Sequence, residues 1–137
     1  MMESMALKNA RGTFDVVITP VKPADDAAPD APGRMLLAKT FHGDLTGTAA
    51  GEMLAIMNPE RSGAYVALDR VRGVFDGREG GFTLVHRGLM DRGAQELLIT
   101  IVPGSGSGAL AGIAGVFHLT IEDGVHRYDL EYSLPTS

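Results

Sequence analysis

The sequence predicts an all-β protein, a single eight-stranded antiparallel up-and-down β-barrel that forms one domain over residues 1–137. Short apolar runs with period-two alternation recur along the chain, which is typical of half-buried strands. Turn residues separate these runs, and the chain has 18 glycines. No long stretch has helical spacing. Closure into a barrel would remove the two exposed edges that an open eight-stranded sheet leaves.

The predicted strands can be placed in chain order from their alternation and their bounding turns. They cover residues 12–19, 34–42, 45–57, 64–75, 81–89, 95–102, 113–121 and 126–134. The third strand contains Gly47 and Gly51, and we expect it to be bent or interrupted there, because an isolated glycine inside a strand often marks a bulge.

Three segments are predicted to lie outside the strands. Residues 1–9 are expected to be loose. Residues 20–33 contain four prolines and few large apolar side chains, which predicts a flexible loop inside the domain. Residues 103–108, PGSGSG, are expected to form a flexible hairpin loop. The G-x-G-x-x-A match from Gly106 to Ala111 precedes a strand, not the helix that a dinucleotide site needs.

Composition excludes several classes of function. The absence of cysteine excludes disulfides, thiolate metal sites and thiol nucleophiles, and it favours a cytoplasmic location. A net charge of -5 with scattered basic residues argues against binding to nucleic acid. No apolar run approaches a membrane span and no signal peptide is recognised, so no membrane partner is expected. The four histidines lack metal-site spacing, and we predict no metal and no cofactor.

The interior of an eight-stranded barrel is wide enough to be filled by side chains or to hold one small ligand. In the fifth predicted strand His86 faces inward, where it could orient a ligand or exchange a proton near neutral pH. The alternative is a core histidine paired with a neighbouring polar group. Tyr128 and Tyr132 also face inward, as core residues or as a pocket wall.

Alternation does not decide the orientation of Glu52 and Tyr65, because both faces of their strands carry apolar residues. If Glu52 lies inside, burial would raise its pKa, and it could form an acid–base pair with His86. Otherwise it is a solvated residue after a bulge. The candidate ligand-binding residues are therefore His86, Glu52, Tyr65, Tyr128 and Tyr132.

Three segments resemble the bacterial DUF3224 family: residues 39–47 (KTFHGDLTG), 77–88 (GREGGFTLVHRG) and 102–112 (VPGSGSGALAG). The resemblance implies a β-barrel similar to that of allene oxide cyclase. It implies no reaction, because the function of the family is unknown. No catalytic motif of the plant cyclases is matched, so that activity is not carried over.

The leading functional hypothesis is a barrel that binds a small hydrophobic or amphipathic molecule. The alternatives are a cofactor-free isomerase or cyclase that uses His86 and Glu52 as acid–base groups, and a structural or partner-binding barrel with a filled interior. Apolar residues on both faces of the segments 35–37, 53–57 and 97–102 predict a homo-oligomer, most simply a dimer.

Overall fold

The computed structural model describes residues 6–135, and this range forms strands and turns without any helix. Membrane-spanning helices are accordingly not found in the range. The strands are β1 (Lys8–Pro20), β2 (Gly33–Gly43), β3 (Thr46–Met57), β4 (Gly63–Phe75), β5 (Arg78–Asp91), β6 (Ala94–Ile101), β7 (Ser107–Gly108), β8 (Ala114–Glu122) and β9 (Val125–Ser133). All except β7 form a closed antiparallel ring, which confirms the predicted fold class.

The ring follows chain order, since each of its strands pairs with the next and β9 pairs back to β1. This order gives the barrel two ends. The upper end, as we call it, carries the connections at residues 21–32, 58–62, 92–93 and 123–124. The lower end carries those at residues 44–45, 76–77 and 102–113. The two-residue strand β7 lies outside the ring, against the start of β5.

The lower half of the barrel is filled by a buried core of aromatic and aliphatic side chains. Phe41 contacts Tyr128 edge-on, and Phe75 contacts Tyr132 in the same way. The segment 102–113 contributes Leu110 and Ile113 to this core. The predicted hairpin loop at residues 103–108 contains the short strand β7, and the apolar side chains that follow it fill the lower end of the barrel.

Two expectations about the strands are wrong. The first strand begins at Lys8, where it pairs with Tyr132, so residues 8 and 9 are not loose; residues 1–5 lie outside the described residues. The third strand is not interrupted, because its ladders with β2 and β4 run without a break past Gly51. The glycine instead allows the Asp69 carboxylate to lie close to the backbone of β3, because a Cβ at Gly51 would overlap that carboxylate.

One junction of the ring is much shorter than the others. Within the described residues, β6 and β8 share a single register pair, Thr100 with Val116. Every other ladder of the ring has at least seven. Above this pair, residues 94–99 and 117–122 have no ladder between them. The wall of the barrel is therefore least tightly joined along the upper part of this junction.

Candidate functional site

Three ionisable side chains from different strands meet inside the barrel: Lys39 of β2, Asp69 of β4 and His86 of β5. Lys39 Nζ donates a hydrogen bond to Asp69 Oδ2 at 2.6 Å, and His86 Nε2 lies 2.7 Å from the same oxygen. Lys39 Nζ and His86 Nε2 are 3.5 Å apart. All three residues are buried, Asp69 completely. We call this group the interior triad.

Strand alternation explains why these polar residues point inward. Lys39 lies between the buried Leu37 and Phe41, two positions away on either side, and successive side chains of a strand point to opposite faces. Asp69 is placed in the same way between the buried Ala67 and Val71. The apolar neighbours fix the inner face, and the charged residue is carried inside with them.

Small residues on β3 allow the triad to form across that strand. β3 lies between β2 and β4, and its inward positions here are Ala49, opposite Lys39, and Gly51, opposite Asp69. The ammonium and the carboxylate can therefore meet over β3. On the other side, His86 pairs with Ala67, which makes it the diagonal neighbour of Asp69.

The electrostatics of the triad favour an ionised Asp69. Burial alone would raise its pKa, but the hydrogen bond from His86 and the charge and hydrogen bond of Lys39 outweigh burial, so the pKa of Asp69 lies below its ordinary value. In this contact His86 Nε2–H donates a hydrogen bond to Asp69 Oδ2. Asp69 Oδ1 is buried without a hydrogen-bond partner among the described residues.

Tyr65 belongs to the same region, because it lies on the inner face of β4, four residues before Asp69. Its ring covers Gly88 on β5, where a Cβ would overlap the ring atoms. Burial raises the pKa of the Tyr65 hydroxyl, and the negative charge of Asp69 raises it further. The tyrosine thus forms part of the inner wall on the side of the triad nearer the upper end.

Above the triad the inner wall becomes apolar and accessible to solvent. On β6 the exposed fraction rises from 1% at Ile99 to 39% at Leu97. On β8 it rises from 3% at Phe117 to 59% at Ile121, the next inward position but one. Further inward-facing side chains at this end that are only partly buried are Met35, Met53 and Met90. The interior is packed below the triad and open toward the upper end.

The structure brings two of the five predicted site residues to the triad region. His86 faces inward, as predicted, and Tyr65 does too. Tyr128 and Tyr132 face inward in the packed lower half, where Tyr128 Oη accepts a hydrogen bond from the Leu45 amide and donates one to the His42 carbonyl. A role in ligand binding stays a prediction for all four.

Glu52 is placed outside the barrel. Its carboxylate pairs with Arg34, with Nη2 to Oε1 at 3.1 Å, and both side chains are exposed. The hypothesis that Glu52 lies inside and pairs with His86 is therefore wrong, and the alternative of a solvated Glu52 is correct. The reason is the unbroken register of β3: without a bulge, Gly51 and Met53 face inward and Glu52 faces out, together with Leu54.

Comparison with known proteins places the chain in a family. A family model described as "Protein of unknown function (DUF3224)" matches residues 10–132. The chain belongs to the DUF3224 family. A crystal structure of a DUF3224 protein with unknown function from Shewanella oneidensis MR-1 is 36% identical to it, with a TM-score of 0.87 over 96% of this chain and 100% of that one. No curated protein matches. The finer likeness to allene oxide cyclase stays a prediction.

Sequence reasoning missed two members of the triad of this DUF3224 protein, Lys39 and Asp69. A usable signal was present, because each is a single charged residue on a strand face whose neighbours at two positions on either side are apolar. Such a residue is carried to the interior by its neighbours. A search for oppositely charged residues in that setting on different strands would have found both.

The outer wall of the DUF3224 barrel carries an apolar depression across β3, β4 and β5, with a volume of about 720 Å³. Its exposed apolar side chains include Leu54, Val66 and Leu68, and it also contains the ion pair of Arg34 with Glu52. We call it the outer patch. It lies on the opposite side of the wall from the triad.

Proposed function

We propose that this protein binds a small apolar or amphipathic molecule in the upper part of the barrel, with the interior triad contacting its polar end. The observation that carries the proposal is the buried cluster of Lys39, Asp69 and His86 at the base of an apolar, solvent-accessible interior. Ligand sites are typically apolar with a few convergent polar groups. Buried charged groups are often more costly than an apolar replacement, which favours a functional role for the triad.

The proposal is tested by native mass spectrometry of the protein from its own host and by titration with Nile red, an uncharged apolar dye. We expect a co-purifying small molecule, or saturable dye binding that the variant His86→Phe loses while its circular dichroism stays β-like. His118→Phe is the matched control, because His118 is exposed on the outer wall. Equal dye binding by all three proteins, or none by the wild type, would contradict the proposal.

A second candidate function is a cofactor-free isomerase or cyclase that acts by proton transfer in the same interior. The specific observation is the 2.7 Å contact of His86 Nε2 with Asp69 Oδ2. A carboxylate in this position fixes the ring and its tautomer, so that Nδ1 can accept a proton from a substrate. Lys39 would stabilise negative charge that develops on the substrate. In this hypothesis the carboxylate that pairs with His86 is that of Asp69, not that of Glu52.

The two functions differ in a measurable way. A co-purified molecule incubated with the protein in deuterium oxide should gain deuterium at carbon if His86 transfers protons, and His86→Phe should abolish the gain. Nuclear magnetic resonance of the extracted molecule reads this directly. An unchanged molecule after prolonged incubation would leave binding as the function and rule against catalysis.

We also propose that a second copy of the chain covers the outer patch. An exposed apolar surface of this kind is typical of protein interfaces, and the patch includes both charges of the Arg34–Glu52 pair, which can exchange partners across a two-fold axis. Sedimentation should give a dimer that Leu68→Arg dissociates. The control Val125→Arg changes an exposed apolar residue outside the patch. A wild type that sediments as a monomer at micromolar concentration would refute this.

A further inference from the structure

We infer that the ligand of the barrel is electrically neutral at the end that meets the triad, with a group such as a hydroxyl that both donates and accepts a hydrogen bond. This inference rests on the proposed function and adds the chemical class of the ligand. It is carried by the balance of charges inside the barrel and by the polar atoms that the triad leaves available.

The charges that face the upper interior can be counted strand by strand. Strand β2 contributes Lys39, β4 contributes Asp69 and Tyr65, β5 contributes His86, and β9 contributes His126 near the rim. In the described part of the chain, the inward positions of β1, β3, β6 and β8 at this end carry no ionisable group. The Lys39 ammonium and the Asp69 carboxylate lie 2.6 Å apart, and their charges offset each other.

A charged ligand end would disturb this balance. A carboxylate would add a second negative charge beside Asp69, which is fully buried and held in its ionised form. An ammonium would add a second positive charge beside Lys39. In either case an uncompensated charge would lie in a poorly solvated interior, where it is strongly disfavoured.

A neutral hydroxyl matches what the triad offers. Asp69 Oδ1, which is buried beside Gly51, is an acceptor without a donor among the described residues. The Lys39 ammonium has three N–H donors, of which Asp69 Oδ2 takes one. A hydroxyl can donate to a carboxylate oxygen and accept from an ammonium. It therefore adds hydrogen bonds to the site and leaves its net charge unchanged.

The test compares three ten-carbon molecules that differ only in their end group: decanol, decanoate and decylammonium. Each competes with Nile red at neutral pH for the wild type, for Asp69→Asn and for Lys39→Met. We expect the wild type to bind decanol about tenfold more tightly than either ion. Asp69→Asn, which leaves a net positive interior, should shift preference toward decanoate, and Lys39→Met, which leaves a net negative one, toward decylammonium. His118→Gln should keep the wild-type order.

The outcomes separate this inference from the proposed function. If decanoate or decylammonium binds the wild type as tightly as decanol, the inference is wrong while ligand binding stands. If none of the three molecules and no dye binds, both proposals fail. If a variant does not fold, as judged by circular dichroism, the wild-type order alone decides.

Discussion

Replacing Asp69 with Asn removes the negative charge that holds Lys39 and His86 together at the centre of the barrel. The buried ammonium then has no counter-ion, and breaking a buried pair by removal of one partner costs about 3–5 kcal/mol. The side chain of Lys39 is only 7% exposed, so solvent screening does little to reduce this cost. At a typical urea dependence for small proteins, the denaturation midpoint should fall by on the order of 2 M.

The same variant should change the acid stability of the protein. Because the pKa of Asp69 is lowered in the folded state, the unfolded state binds a proton at higher pH than the folded state does. The stabilisation from Asp69 is therefore complete above its ordinary pKa of about 4 and is lost as pH falls through the lower folded value. The difference in unfolding free energy between wild type and Asp69→Asn should shrink over this acid range.

Urea denaturation followed by circular dichroism measures both effects. Glu52→Gln is the matched control, since it removes a carboxylate from an exposed ion pair, for which about 0–1 kcal/mol is expected. The combined replacement Lys39→Met, Asp69→Leu, His86→Phe should be neutral or stabilising, because it removes all the buried charges at once. A loss below about 1 kcal/mol for Asp69→Asn at neutral pH, or a loss that does not vary with acid pH, would refute the reasoning.

Three further predictions concern the framework around the site. Gly51→Ala should cost about 1–3 kcal/mol in urea denaturation, because its Cβ would overlap the triad carboxylate and the Leu68 carbonyl. Gly33→Ala should cost far less, because a Cβ there would meet its neighbours only at ordinary van der Waals distance, 3.7 Å or more. Tyr128→Phe should cost about 1–3 kcal/mol in the same assay because it leaves the buried Leu45 amide without an acceptor; an unchanged midpoint would contradict this. Limited proteolysis should cut first within residues 20–33, and a first cut elsewhere would count against a flexible loop.

Alternation was sufficient to predict the fold because most strands have one face that is clearly apolar inside the barrel. The β9 pattern shows this, since Arg127 and Asp129 alternate with buried Tyr128 and Leu130. The orientation of Glu52 could not be predicted, because the outer face of β3 is also apolar and its exposed Leu54 looks like a core residue in sequence. Such predictions depend on the contrast between an apolar inner face and a polar outer face of each strand, and the apolar outer face of β3 removes that contrast.

Only one of the three triad residues, His86, was predicted, and the reason is a different physical one. His86 was recognised because a histidine among apolar residues is an acceptable interior group. Lys39 and Asp69 are stable inside only as a pair, and their pairing across β3 depends on the small side chain of Ala49 and on Gly51 between them. Such a contact joins residues that are far apart in sequence, so neither residue alone indicates it.

Because β6 and β8 share a single register pair, we expect the closed ring to open locally at this junction first. Backbone amides of residues 94–99 and 117–122 that face this junction should exchange with solvent through small local openings, long before the protein unfolds as a whole. An opening there would expose two strand edges and the inner face of Leu97 at the same time. Glu96 and Glu122 border the junction, and like charges of this kind discourage a neighbouring molecule from adding a strand. We therefore expect the internal motions of the barrel to be largest at the β6–β8 junction.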